Sequence, residues 1–80
     1  MDMSYALKKR VLELCKAKEI SIGELARVCG ISSSGLRKIL NGKSRGPKMM
    51  TIKKLCDALE ITLGEFFSTP EFDALEQEIQ

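Results

Sequence analysis

One glycine restricts the fold of this chain more than its composition does. Gly30 sits inside SIGELARVCGISSSGLRKILNG, residues 21–42, between two short runs of helical periodicity. Before it, Leu25, Ala26 and Cys29 fall on one helical face; after it, Leu36, Ile39 and Leu40 do the same. Glycine takes φ > 0 at little steric cost, so the first helix stops at Gly30 and the chain reverses. Ser21-Ile-Gly-Glu24 reads as a capping box for that first helix. The serine oxygen accepts from the Glu24 amide and the Glu24 carboxylate reaches back. Ser32 is the N-cap of the second helix. The weak helix formers in this stretch therefore punctuate two short helices, expected at about 22–29 and about 33–41.

The rest of the chain is helical by the same reading. Leu7, Val11, Leu14 and Cys15 mark a first helix that Ser4 can cap and Lys18 can close. Lys43 to Lys48, KSRGPK, is a basic loop. Thr51 is expected to cap a fourth helix carrying Ile52, Leu55, Cys56 and Leu59. Thr62-Leu-Gly-Glu65 is a second capping box, opening a fifth helix with Leu63, Phe66 and Phe67. Pro70 suits the first turn of a last segment, where Phe72, Leu75 and Ile79 form a thin stripe. No stretch alternates like a strand. Short helices with short loops pack at steep angles, which implies a compact all-α globule of five helices rather than a parallel bundle.

Eighty residues make one domain with a small core. No apolar run approaches a membrane span, and Lys8, Lys9 and Arg10 interrupt any signal-peptide core, so the expected location is cytoplasmic. The three cysteines, Cys15, Cys29 and Cys56, form no C-x-x-C pair and the chain has no histidine. They read as small core hydrophobes, and neither a metal nor a cofactor is expected. The net charge of +2 conceals a strong segregation. Residues 1–50 hold eleven Lys and Arg against four Asp and Glu, whereas residues 51–80 hold two against seven. Such a chain offers one face to a polyanion and turns another away from it.

Ala26 leaves room for two helices to approach, Gly30 makes the reversal, and Leu36 and Ile39 dock the second helix. Three separate physical demands coincide in this helix-turn-helix spacing. SIGELARVCGISSSGLRKILNGKSRGP resembles the Cro and lambda-repressor-like helix-turn-helix family, also called the XRE family. MTIKKLCDALEITLGEFF is similar to that family's closing helices, T-L-x-K-I-A-x-A-L-x-V-x-L-x-E-L-F. The resemblance covers about residues 5–67. It implies a five-helix DNA-binding domain over residues 1–67, followed by a tail over 68–80 that can itself be helical. It further implies a transcriptional regulator, usually a repressor, dimeric on a palindromic operator. Two positions depart from the pattern. Ile22 stands where the family often has a phosphate-binding Gln, leaving the backbone amides there to hold a phosphate. Cys15 and Leu40 stand where the family often has an ion pair, which an apolar contact replaces as a unit.

By family position, the base-reading residues are Ser32, Ser33 and Ser34, then Arg37 and Lys38 one turn on. Serine hydroxyls let a helix sit close to the groove and discriminate weakly. Ser32 is also a cap. Arg37 and Lys38 can reach guanine O6 and N7. Position favours Lys38 and the guanidinium fork favours Arg37, and both readings stand open. Gly35 permits close backbone approach or is incidental. Phosphate contacts are expected from the backbone at Ile22 and from Asn41, Lys43, Ser44, Arg45 and Lys48. Lys8, Lys9 and Arg10 read as a solubilising face. The expected partner is double-stranded DNA, with no membrane and no small-molecule ligand. The competing function is a protein-interaction module of the same fold, an antitoxin or a phage or plasmid accessory protein. The acidic tail favours it, since Phe72, Leu75 and Ile79 can pack on the body, on a second copy or on another protein. An enzyme is not expected, because there is neither a P-loop nor a dinucleotide fingerprint.

Overall fold

A computed structural model describes residues 3–41, 48–75 and 79. Six helices follow one another: α1 (Met3–Lys18), α2 (Ile22–Cys29), α3 (Ser33–Leu40), α4 (Met49–Leu59), α5 (Leu63–Phe67) and α6 (Pro70–Asp73). The described residues contain no strand. One apolar cluster holds them together. It takes Leu7, Val11, Leu14 and Cys15 from α1, Leu25, Ala26 and Cys29 from α2, and Leu36 and Leu40 from α3. Ile52, Leu55, Cys56 and Leu59 of α4 and Phe66 of α5 complete it. α2 packs on both α3 and α4, while α1 packs on α3, α4 and α6. Cys15 and Leu40 lie in the same dry cluster, as the apolar replacement of an ion pair requires. Burial pushes all three thiols above their ordinary pKa, so they remain neutral and pack as apolar groups. Among the described residues no helix is long and apolar enough to cross a membrane.

Two helix starts differ from those the sequence suggests. α1 already runs at Met3, placing Ser4 inside the first turn rather than before it. A serine is tolerated there because the first amides of a helix have no intrahelical acceptor to compete for. α4 begins at Met49, with Lys48 as its N-cap and no side-chain capping bond. The Lys48 carbonyl accepts from the Thr51 and Ile52 amides at 2.9 and 3.1 Å, so the backbone closes the first turn without a hydroxyl. At α5 both halves of the expected capping box form; at α2 the serine half forms, with Glu24 N–H donating to Ser21 Oγ at 3.1 Å.

Three of the connections are built alike. Each has a left-handed residue, then isoleucine, then a hydroxyl N-cap: Glu19-Ile20-Ser21, Gly30-Ile31-Ser32 and Glu60-Ile61-Thr62. In each, the isoleucine amide donates back across the helix end at 3.0 Å, to Cys15, Ala26 and Cys56 respectively. The preceding amide donates to Lys16, Arg27 or Asp57 at 3.2 Å. This double bond ties off the orphan carbonyls, and the isoleucine packs against the core beneath. Only one of the three left-handed positions is glycine; Glu19 and Glu60 hold φ of 55° and 59°. Left-handed backbone costs a residue with a Cβ roughly 1–2 kcal/mol, of which glycine's extra unfolded entropy offsets a part. Glu60→Gly is therefore expected to raise stability by about 0.5–1 kcal/mol, and Gly30→Ala to lower it by about 1 kcal/mol. A Cβ at Gly30 would meet nothing within 4 Å, so the cost there is conformational. Urea midpoints of the two variants, moving in opposite directions, check this.

The basic cluster of α1 is partly spent inside the molecule. Arg10 Nε donates to the Phe66 carbonyl at 2.7 Å and Nη2 donates to the Glu65 carbonyl, closing the C-terminal end of α5. Lys9 Nζ pairs with Glu71 of α6 at 2.7 Å, and that hydrogen bond holds the Glu71 carboxyl below its ordinary pKa. Phe72 meets Phe67 edge-on at 5.0 Å between centroids, and Phe67 meets Phe66 the same way. The start of the tail is thus laid on the body. Ile79, by contrast, is 87% exposed.

Candidate nucleic-acid interface

The two faces of α3 have opposite characters. Leu36 is fully buried, Leu40 nearly so, and Ile39 half-buried, anchoring the helix on α1 and α2. Ser33, Ser34, Arg37, Lys38 and Asn41 are all exposed. At 3.6 residues per turn, Lys38 lies about 200° round the helix from Leu36, while Arg37 lies about 100° from it. Ser34, Lys38 and Asn41, at i, i+4 and i+7, therefore run along the crest opposite the core. Ser33 and Arg37 flank that crest on one side.

Ser32 is committed to the helix start. Its Oγ accepts from the Gly35 amide at 3.0 Å and lies 3.3 Å from Ser34 Oγ. A Cβ at position 35 would stand 3.0 Å from that same oxygen. The missing side chain of Gly35 thus gives the capping hydroxyl room, a local reason that the spacing of residues does not reveal.

At the start of α2, Ser21 takes the Glu24 amide on its hydroxyl and the Leu25 amide on its carbonyl. This leaves the Ile22 and Gly23 amides without an acceptor among the described residues. The Ile22 side chain turns inward and packs against the core. Gly23 has no side chain to draw attention to it in the sequence. The signal for it is the cap itself, which always leaves the two amides ahead of the capped one open. Lys48 is exposed at the start of α4. Lys43, Ser44 and Arg45 lie outside the described residues. Arg10, read as surface charge, proves to be a structural capping group instead.

A buried anchor face, a glycine-broken turn and a polar, cationic crest define a helix-turn-helix domain of the DNA-binding class. Residues 10–71 match the Cro/C1-type HTH DNA-binding domain, and the chain belongs to that family. It is 42% identical over 53 residues to the uncharacterized HTH-type transcriptional regulator RghRB of Bacillus subtilis (strain 168), a match covering 66% of this chain and 38% of the relative. It is also 42% identical over 48 residues to the HTH-type transcriptional repressor RghR of the same organism, covering 60% and 36%. The chain thus matches under two fifths of the length of either relative. No solved structure matches it.

Proposed function

We propose that this protein is a cytoplasmic, non-enzymatic transcriptional regulator, a repressor, that reads double-stranded DNA with α3 in the major groove and acts as a homodimer on a palindromic site. The observation that carries this reading is the exposed crest of α3 on an anchor as dry as Leu36. Ser33, Ser34, Arg37 and Lys38 face the bases, with Lys38 at the centre and Arg37 at the edge nearer a phosphate strand. Ser32 serves chiefly as the cap that starts the reading helix. The Ile22 and Gly23 amides hold one phosphate at the start of α2. Asn41, Lys43, Ser44, Arg45 and Lys48 hold others, fixing orientation without specifying sequence. The repressor role is supported by the name of one relative, a transcriptional repressor.

Selection of bound duplexes from a random pool tests this directly. A two-fold symmetric motif with half-sites about one helical turn apart is the expected result, and an unselected pool would overturn the reading. Lys48→Ala is expected to weaken binding to every duplex alike. It should lower the slope of log affinity against log salt by about 0.9. Lys43→Ala and Arg45→Ala should do the same. A change confined to one base position would remove these residues from the phosphate set.

A further inference from the structure

The serines at the start of α3 are joined more closely than a cap alone requires. Ser32 Oγ accepts from the Gly35 amide at 3.0 Å and also stands 3.3 Å from Ser34 Oγ. The bare Cα of Gly35 makes room for that hydroxyl, because a Cβ there would lie 3.0 Å from it. Both serines are exposed, and Ser34 lies on the crest of the helix. A serine hydroxyl has one proton to give and two lone pairs. The cap uses one lone pair of Ser32. Accepting the amide proton polarises the Ser32 hydroxyl and makes its own proton the better one to give. The positive end of α3 acts in the same sense, holding the Ser32 oxygen toward the amides and turning its proton outward.

We infer that Ser32 donates to Ser34 Oγ and so sets Ser34 as a donor toward the base it meets, which makes Ser32 a positioning residue for base selection as well as a cap. This rests on the proposed seating of α3 in the major groove. A serine free to turn donates or accepts at any base edge and discriminates weakly. With its oxygen engaged, Ser34 offers its proton to guanine O6 or N7, adenine N7 or thymine O4. Cytosine presents only the N4 donor and is disfavoured. The separation of 3.3 Å is long for two hydroxyls, so water competes for it in the free protein. A groove closed over the helix start removes that competitor.

Selection of duplexes from a random pool at low salt, run on the unaltered chain and on variants at both serines, tests the inference. Unchanged circular dichroism checks that each variant folds. Ser32→Thr keeps a hydroxyl that can both cap and donate, and should select the same motif. Ser32→Asp keeps the cap, since aspartate accepts at a helix start as well as serine does. Its carboxylate has no proton to give, so Ser34 must donate to it and turn its lone pairs to the groove. Cytosine should then gain by about two- to tenfold at one position of the half-site, the worth of one hydrogen bond. The added negative charge weakens every duplex alike and leaves that preference readable. Ser34→Ala should relax the same position, and adding Ser32→Asp to Ser34→Ala should produce no gain of cytosine. Equal base preference in the unaltered chain and in Ser32→Asp overturns the inference and leaves the DNA reading intact. A gain of cytosine that persists in the Ser34→Ala background overturns it too, because the carboxylate itself would then be the reader. An unaltered chain that selects no motif overturns the seating of α3, and this inference with it.

Discussion

Leu36→Ala is expected to cost about 2–5 kcal/mol, the range for removing a fully buried leucine side chain from a packed core. The site is severe because Leu36 has no exposed surface and touches the cluster shared by α1, α2 and α4. A domain of this size has about 4–12 kcal/mol of stability in total. The variant should therefore lose a large part of it, and its urea midpoint should fall accordingly at an unchanged slope. DNA binding should fail with the fold, not before it. A loss below about 1 kcal/mol would mean that α3 is not anchored where the structure places it.

Replacing Arg37 and Lys38 together by Ala should produce the reverse pattern. Both side chains are exposed, so stability should move by no more than about 0.5 kcal/mol. Affinity for the selected duplex should fall by about 1–3 kcal/mol, roughly five- to a hundredfold, for each side chain that had held a base edge. The single variants separate the roles. Lys38→Ala is expected to relax preference at one base position, because Lys38 stands on the crest. Arg37→Ala is expected to relax preference at a different position, nearer the edge of the half-site, because in the proposed docking Arg37 flanks the crest. Selection from a random pool with each variant reads the difference. A double variant that still selected the same motif would remove both residues from the reading face.

What the sequence disclosed divides by distance along the chain. Gly30, Ser21, Ser32 and Thr62 act on neighbours three or four residues away, and each was legible from local spacing. The periodic apolar positions of α2, α3 and α4 were legible for the same reason, since a helix face repeats within one turn. Arg10 was not. Its acceptors are the carbonyls of Phe66 and Glu65, 56 and 55 positions away, and nothing in the run Lys8-Lys9-Arg10 distinguishes a capping guanidinium from a solvated one. Glu71 was hidden likewise, because Lys9 lies 62 positions from it. The start of α4 was misplaced because a hydroxyl at Thr51 looks like a cap, while the actual first turn is closed by the Lys48 carbonyl, which every residue type possesses. The left-handed turns at Glu19 and Glu60 were obscured by a side chain that gives no hint of φ > 0. The crest of α3 was legible as a set of residues, but its ordering into a centre and an edge required the helix to be docked.

The three matching connectors have a consequence for how such a molecule can be altered. They orient successive helices through main-chain bonds and an isoleucine plug, all on the inner side of the chain. The outward side chains of residues 33, 37 and 38 make none of these bonds, and Ser34 adds only its hydroxyl contact to Ser32 Oγ. A library randomised at those four positions should therefore consist largely of folded members, each offering a different chemical surface at the same angle. Retargeting this domain would then be a matter of exchanging four side chains on a fixed frame, with no second set of mutations needed to restore the frame.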